Sequence, residues 1–208
     1  MIHYLTNTRN LQIIHADSRE ALKNFNDEIA LIMTSPPYAD ARKKHYDGIK
    51  PEDYVEWFLS FHSGFWQALK PDGSLVINIK SQAKNGVRLR YDWEMIQSLS
   101  ALGWYCIDDF IWAKTNSVPG RWPNRVRDGW EYVYHLAKSP KPYFNSEAVK
   151  VAPAPATLYL TRNLTIENYQ RQRSRTGSGF TQNLLASKDK QLVLPNNVLH
   201  LATECRNR

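Results

Sequence analysis

The sequence predicts an α/β domain, a largely parallel sheet covered on both faces by helices. Three observations predict it. Short apolar runs alternate with stretches of helical periodicity through the first 150 residues. Clusters of Gly and Pro punctuate the chain between most of those stretches. A chain of 208 residues that is 42% hydrophobic, with seven Trp, eleven Tyr and seven Phe, is long and apolar enough to bury the core of one domain, or of one domain with an appended lobe.

The elements follow in order. Residues 11–15 are a short apolar run, a strand, and after Ala16-Asp17-Ser18 the segment 19–25 makes one or two helical turns with Ser18 as its N-cap. Residues 29–34 form a buried strand stopped by Ser35-Pro36-Pro37. Between 51 and 69, Tyr54, Val55, Trp57, Phe58, Phe61, Phe65 and Leu69 recur at helical spacing, and Lys70-Pro71-Asp72-Gly73 ends that helix. Residues 74–79 are a third strand. Trp93, Ile96, Leu99 and Leu102 define a second amphipathic helix closed by Gly103, and strands follow over 105–112 and 132–137. From 152 to 191 the periodicity is lost amid Pro153, Pro155, Gly177 and Gly179. Six basic residues stand against two acidic ones between Arg162 and Lys190, which reads as an exposed, irregular basic lobe.

Composition narrows the function. Twenty-seven Lys and Arg against twenty Asp and Glu leave a charge of +7, which fits a polyanionic partner or simply a basic surface. Cys106 and Cys205 lie far apart with no His or Cys at ligand spacing, so neither a disulfide framework nor a metal site is expected. No apolar run approaches a membrane span and the start lacks a secretory pattern, so a cytoplasmic protein is expected.

One motif carries chemistry. Thr34-Ser35-Pro36-Pro37-Tyr38 directly follows an apolar strand. Two successive prolines fix φ and remove two backbone donors, so the loop is stiff and can aim a carbonyl and an aromatic ring at a ligand beyond the strand end. The plainer reading is a structural turn with a packed tyrosine.

The order of motifs is more specific than any one of them. Asp17, Ser35-Pro36-Pro37-Tyr38, Leu69-Lys70-Pro71-Asp72-Gly73, the strand 74–79, Ile111-Trp112-Ala113-Lys114-Thr115-Asn116 and the run from Glu131 to Lys138 together resemble the amino-DNA-methyltransferases. More narrowly, they resemble the permuted class in which the Pro-Pro-Tyr motif precedes the cofactor-binding half. The resemblance implies a Rossmann-like methyltransferase sheet with helices on both faces plus a small irregular basic lobe. Its regions are a catalytic one (1–150), a target-recognition lobe (151–195) and a lead-in to the cofactor half (196–208). It implies methyl transfer from S-adenosylmethionine to an exocyclic amino nitrogen of a flipped base in double-stranded DNA, within a restriction-modification system.

Residue by residue, the resemblance makes Ser35, Pro36, Pro37 and Tyr38 catalytic. The Ser35 hydroxyl and the Pro36 carbonyl hold the amino hydrogens while Tyr38 stacks on the base. Serine at the head of the motif is typical of cytosine-N4 enzymes, with adenine N6 as the alternative. Asp17, Thr34 and Ser35 are cofactor contacts, although Asp17 also reads as a helix N-terminal carboxylate and Ala16 stands where the family has Gly. Arg121, Arg125, Arg127, Arg171, Arg173 and Arg175 are expected on DNA phosphates, where plain surface charge competes. Trp112, Trp122 and Trp130 either line the base pocket or sit in the core.

The family's F-x-G-x-G cofactor loop is not found. Gly177-Ser178-Gly179 follows Arg171, Arg173 and Arg175 rather than a buried strand, and reads as a loop tip. The expectation is an incomplete sheet with an open edge, completed by a complementary chain or by self-association, or else a non-catalytic DNA-binding relic.

Overall fold

The computed structural model describes residues 2–6, 9–40, 48–117, 124–153, 155 and 192–203. They divide into two compact units, one of residues 1–143 with 197–208 and the other of 144–196.

In the first unit the strands Ile2–Thr6 (β1) and Arg9–Ile13 (β2) pair as an antiparallel hairpin. The apolar run expected as a strand over 11–15 thus lies further upstream, and its sheet is separate from the main one. The turn Ser18–Ala21 (α1) is capped by Asp17, whose Oδ1 accepts the Arg19 amide N–H at 2.9 Å. Asp17 and not Ser18 is the N-cap, because a carboxylate one residue earlier reaches the amide two positions on.

Ile29–Thr34 (β3) leads into the Pro-Pro loop. The aromatic stretch beyond it forms two helices, Tyr54–Leu59 (α2) and His62–Ala68 (α3), rather than one. The break falls at Ser60, whose Oγ donates to the Trp57 carbonyl at 2.6 Å and so competes with the helical ladder. Gly64 lets α3 approach its neighbour, since a Cβ there would lie 3.2 Å from Leu22 Cβ. The expected stop is real. Leu69–Ile79 (β4) begins where α3 ends, and its register to β3 jumps from Ile29↔Leu69 to Leu31↔Ser74, so that Lys70-Pro71-Asp72-Gly73 bulges out of the pairing.

A two-residue hairpin, Ala83–Lys84 (β5) with Val87–Arg88 (β6), precedes the helix Tyr91–Ala101 (α4). The buried stripe of α4 is Tyr91, Asp92, Met95, Ile96 and Leu99, whereas Trp93 (44%) and Leu102 (47%) are exposed. The buried face is therefore rotated from the predicted one: Ile96 and Leu99 belong to it, Trp93 and Leu102 do not. Gly103 closes the helix at φ +102°, a conformation that favours glycine.

Tyr105–Lys114 (β7) and Trp130–Ala137 (β8) follow, and Val198–Leu201 (β9) completes the sheet in the order β3-β4-β8-β7-β9. The pairs β3–β4 and β7–β9 are parallel while β4–β8 and β7–β8 are antiparallel. The sheet is mixed, not largely parallel. The cause lies in the connection: nothing in the sequence offers a crossover helix between β7 and β8, and strands joined without one pair antiparallel.

Leu75, Ile77, Ile79 and Leu136 on one face of the sheet are fully buried in a core with Tyr54, Phe58, Phe65, Met95, Leu99 and Trp104. Strand β3 stands at the sheet's edge among the described residues, with Leu31 (55%) and Met33 (70%) exposed.

In the second unit the short helix Ser146–Val149 (α5) is capped by Asn145 Oδ1, which accepts the Ala148 amide at 3.3 Å. An antiparallel bridge joins Val151 and Val193. Gly177-Ser178-Gly179 lies outside the described residues.

Candidate active site

The register of the sheet and the loop after β3 bring five polar side chains together: Ser35, Tyr38, Asn78, Lys114 and Glu131. Thr34 pairs with Ile77, so Ser35 leaves β3 beside Asn78 of β4, and its Oγ donates to Asn78 Oδ1 at 3.5 Å. Glu131, near the start of β8, lies opposite Trp112 of β7 and two positions from the partner of Asn78. It is 6% exposed. Its Oε2 accepts from the Tyr38 hydroxyl at 2.7 Å and from Asn78 Nδ2 at 3.3 Å, and its Oε1 pairs with Lys114 Nζ. Tyr54 from α2 donates its hydroxyl to the Pro37 carbonyl at 2.8 Å and so ties the loop down. Among the described residues nothing donates to the Pro36 carbonyl.

These contacts set the charges. Burial, then the Glu131 carboxylate, push the Tyr38 phenol far above its ordinary value, opposed only in part by Ser35. Burial would raise Glu131 too, but hydrogen bonds from Lys114 and Tyr38 outweigh it and hold the carboxyl below its usual range. Burial lowers the Lys80 ammonium, with Asp128 opposing.

Two cavities flank the loop, each of about 540 Å³. One is polar and cationic, lined by Tyr38, Lys80, Ser81, Lys114, Arg125 and Arg127 among others. Arg125 is paired with Asp128 at 2.6 Å, and Asp128 also takes Arg88. The other lies between Asp17, Thr34, Pro36 and Pro37 on one side and Trp57, Phe58 and Phe61 on the other. Asp17 there forms an ion pair with Arg19, which lowers its carboxyl to about 2.

The structure therefore brings Ser35, Pro36, Pro37 and Tyr38 to one strand end, sets Asp17 and Thr34 on one cavity, and sets Arg125 and Arg127 on the other. Asp17 caps α1 and also faces a cavity. Trp112 donates its indole N–H to the Leu201 carbonyl at 3.0 Å, and Trp130 packs edge-on against Tyr132; neither lines the cavity beside Tyr38. Arg121, Trp122, Arg171, Arg173 and Arg175 lie outside the described residues. Sequence reasoning gave Asn78, Lys114 and Glu131 no role. The available signal was a polar residue at a position where an apolar strand should bury its side chain: Asn78 within Val76-Ile77-Asn78-Ile79, and Glu131 beside Tyr132.

Known proteins are similar to this chain. The sequence signature of a DNA methylase family (N6_N4_Mtase) matches residues 29–183. The type II methyltransferase M.PvuII of Proteus hauseri is 32% identical over 210 residues, which cover 96% of this chain and 62% of that protein. The type II methyltransferase M.SmaI of Serratia marcescens is 28% identical over 180 residues, covering 70% of this chain and 62% of its own length. A solved structure of PvuII DNA methyltransferase (cytosine-N4-specific) superposes with a TM-score of 0.61 at 28% identity, over 93% of this chain and 57% of that one. The α/β architecture is thus the Rossmann-like methyltransferase fold. The chain belongs to the N6_N4 DNA methylase family. It spans about 62% of the length of these two curated relatives.

Proposed function

We propose that this chain is the catalytic and target-recognition part of a type II DNA methyltransferase that moves a methyl group from S-adenosylmethionine to the N4 amino group of cytosine in double-stranded DNA. The observation that carries the reading is the Ser35-Pro36-Pro37-Tyr38 loop, anchored at a strand end between an apolar cavity and a cationic one. The cytosine-N4 activity of PvuII DNA methyltransferase, whose fold this chain shares, supports the choice of base.

The residues present fit the cofactor. The cavity that Asp17 and Thr34 share with Trp57, Phe58 and Phe61 has the size and the mix of aromatic walls and few polar groups that a nucleoside ligand takes. Asp17 and Thr34 supply the polar contacts, and the aromatic rings and Pro36 form the walls. Bound there, S-adenosylmethionine supplies an electrophilic methyl group.

The chain does the rest. The amino lone pair of cytosine is delocalised into the ring, so the nitrogen attacks only when its hydrogens are held out of plane by acceptors. The Ser35 hydroxyl and the Pro36 carbonyl are those acceptors, and the Pro36 carbonyl has no competing donor among the described residues. Tyr38 presents its ring to the flipped base because its hydroxyl is held by Glu131. Ser35 is exposed, so the proton that leaves the methylated nitrogen has a route to water. Lys80, Arg125 and Arg127 line the cationic cavity, where the sugar-phosphate of the flipped nucleotide would lie. Arg121, Arg171, Arg173 and Arg175 add phosphate contacts. The open edge of β3, with Leu31 and Met33 exposed, is where a complementary methyltransferase segment completes the sheet.

The test is transfer of labelled methyl from S-adenosylmethionine to duplex DNA by the intact protein, meaning this chain together with the segment that completes its sheet. Incorporation that Ser35→Ala slows by about a hundredfold is the expected result. Tight DNA binding without incorporation would favour the non-catalytic DNA-binding reading.

A further inference from the structure

Glu131 is a buried carboxylate that methyl transfer does not itself require, and three donors converge on it. We propose that Glu131 is the positioning residue that fixes the hydrogen-bond polarity of the Ser35-Pro36-Pro37-Tyr38 loop, so that Ser35 meets the amino group as an acceptor. This inference rests on the methyl-transfer reading of the site.

An ionised carboxylate can only accept hydrogen bonds. Asn78 can approach Glu131 only with its amide nitrogen, and the same nitrogen donates to the Tyr132 carbonyl at 3.0 Å. The orientation of the Asn78 amide is thereby determined, and its oxygen must face Ser35. The Ser35 hydroxyl then has two acceptors for its one hydrogen, Asn78 Oδ1 at 3.5 Å and the Tyr38 oxygen, whose own hydrogen goes to Glu131. Its lone pairs are left for the amino hydrogens of the base. The second arm is direct, since the Tyr38 hydroxyl commits its hydrogen to the same Oε2 at 2.7 Å and the ring is held in one place. Lys114 neutralises the carboxylate from the other side. Both ends of the catalytic loop are thus registered by one oxygen on another strand, and the donor-or-acceptor choice at Ser35 is made 96 residues away in the chain.

A glutamine at this position cannot serve all three neighbours. If its oxygen faces Tyr38 and Asn78, its NH₂ meets the Lys114 ammonium, which cannot accept. If its oxygen faces Lys114, its NH₂ meets the Asn78 amide nitrogen, and Asn78 flips. Glu131→Gln alone should therefore lower kcat by about tenfold or more while the KM for DNA moves by less than about twofold. Adding Lys114→Gln provides an acceptor beside the amide NH₂ and should return at least half of that loss on a logarithmic scale. A merely structural role would not produce that recovery.

The experiment measures kcat and KM of the intact protein and its Glu131→Gln, Glu131→Gln/Lys114→Gln and Tyr38→Phe variants, with a thermal melt of each. Loss in the single variant, recovery in the double variant and a lowered kcat in Tyr38→Phe are expected. An unchanged kcat in a folded Glu131→Gln, a loss confined to KM, or a folded double variant without recovery would overturn the proposal. If Glu131→Gln does not fold, full kcat in Tyr38→Phe overturns the Tyr38 arm on its own. A wild-type protein that transfers no methyl sinks the methyl-transfer reading itself, a result that no comparison among the variants can mimic.

Discussion

In the proposed reaction Ser35 and Tyr38 act on the base and not on the phosphates, which separates their effects on rate from those on affinity. Replacing either by alanine should lower the single-turnover methylation rate by about a hundredfold, the usual cost of removing one preorganised transition-state interaction, and leave the DNA Kd within about threefold. Rapid-quench kinetics beside a fluorescence titration separate the two quantities, and equal losses in both would refute the assignment. This motif was legible because its meaning is local: two prolines after a strand stiffen a loop whatever surrounds it. Glu131 was not legible. Its role exists only because β8 lies between β4 and β7, which sets residues 38, 78, 114 and 131 side by side.

At the scale of elements, α4 and the β4–β8 pair carry the core, and deletion there should be felt. Leu99, fully buried on α4, makes the clearest test: Leu99→Ala should cost about 2–5 kcal/mol by urea denaturation. A loss below about 1 kcal/mol would place α4 outside the cooperative core. The packing of α3 adds a pH dependence. His62 Nδ1 accepts the Trp104 indole N–H at 2.9 Å and so must be unprotonated, and burial holds the ring below the ordinary imidazole range. A lowered folded pKa means that the unfolded chain binds more protons, so stability rises with pH. This contribution is complete above the unfolded value of about 6.5 and is lost as pH falls through the folded value. The melting temperature should drop between pH 7.5 and 5, and His62→Gln should flatten that drop; an unaltered slope would contradict it. His135 is half-buried and its ring is lowered in the same way, and it shares a 2.8 Å hydrogen bond with Ser74 Oγ, so part of the slope should survive the substitution. The positions of most elements were legible from periodicity and turn residues. Their internal breaks and faces were not: the Ser60 hydroxyl splits one periodic stretch into two helices, and Asp92, a polar residue, occupies the buried stripe that Trp93 was expected to fill.

The whole molecule joins a sheet end that holds the Pro-Pro-Tyr loop to a chain with a +7 charge that suits a polyanion. Fold class followed from the alternation of apolar runs and helical stretches, whereas strand direction depends on how β7 and β8 are connected, which periodicity does not encode. If the proposed basic lobe contacts DNA, converting Arg171, Arg173 and Arg175 together to alanine should flatten the plot of log affinity against log salt by about one unit for each phosphate no longer neutralised. An unchanged slope would return these residues to the solvated surface. The central claim is that the loop after β3 methylates the amino nitrogen of cytosine. Its most direct test is mass spectrometry of the nucleosides released from duplex DNA after incubation with S-adenosylmethionine and the intact protein. N4-methyldeoxycytidine whose rate of formation falls about a hundredfold with Ser35→Ala is the predicted result, and N6-methyldeoxyadenosine, or unmodified DNA from a folded protein, would contradict it.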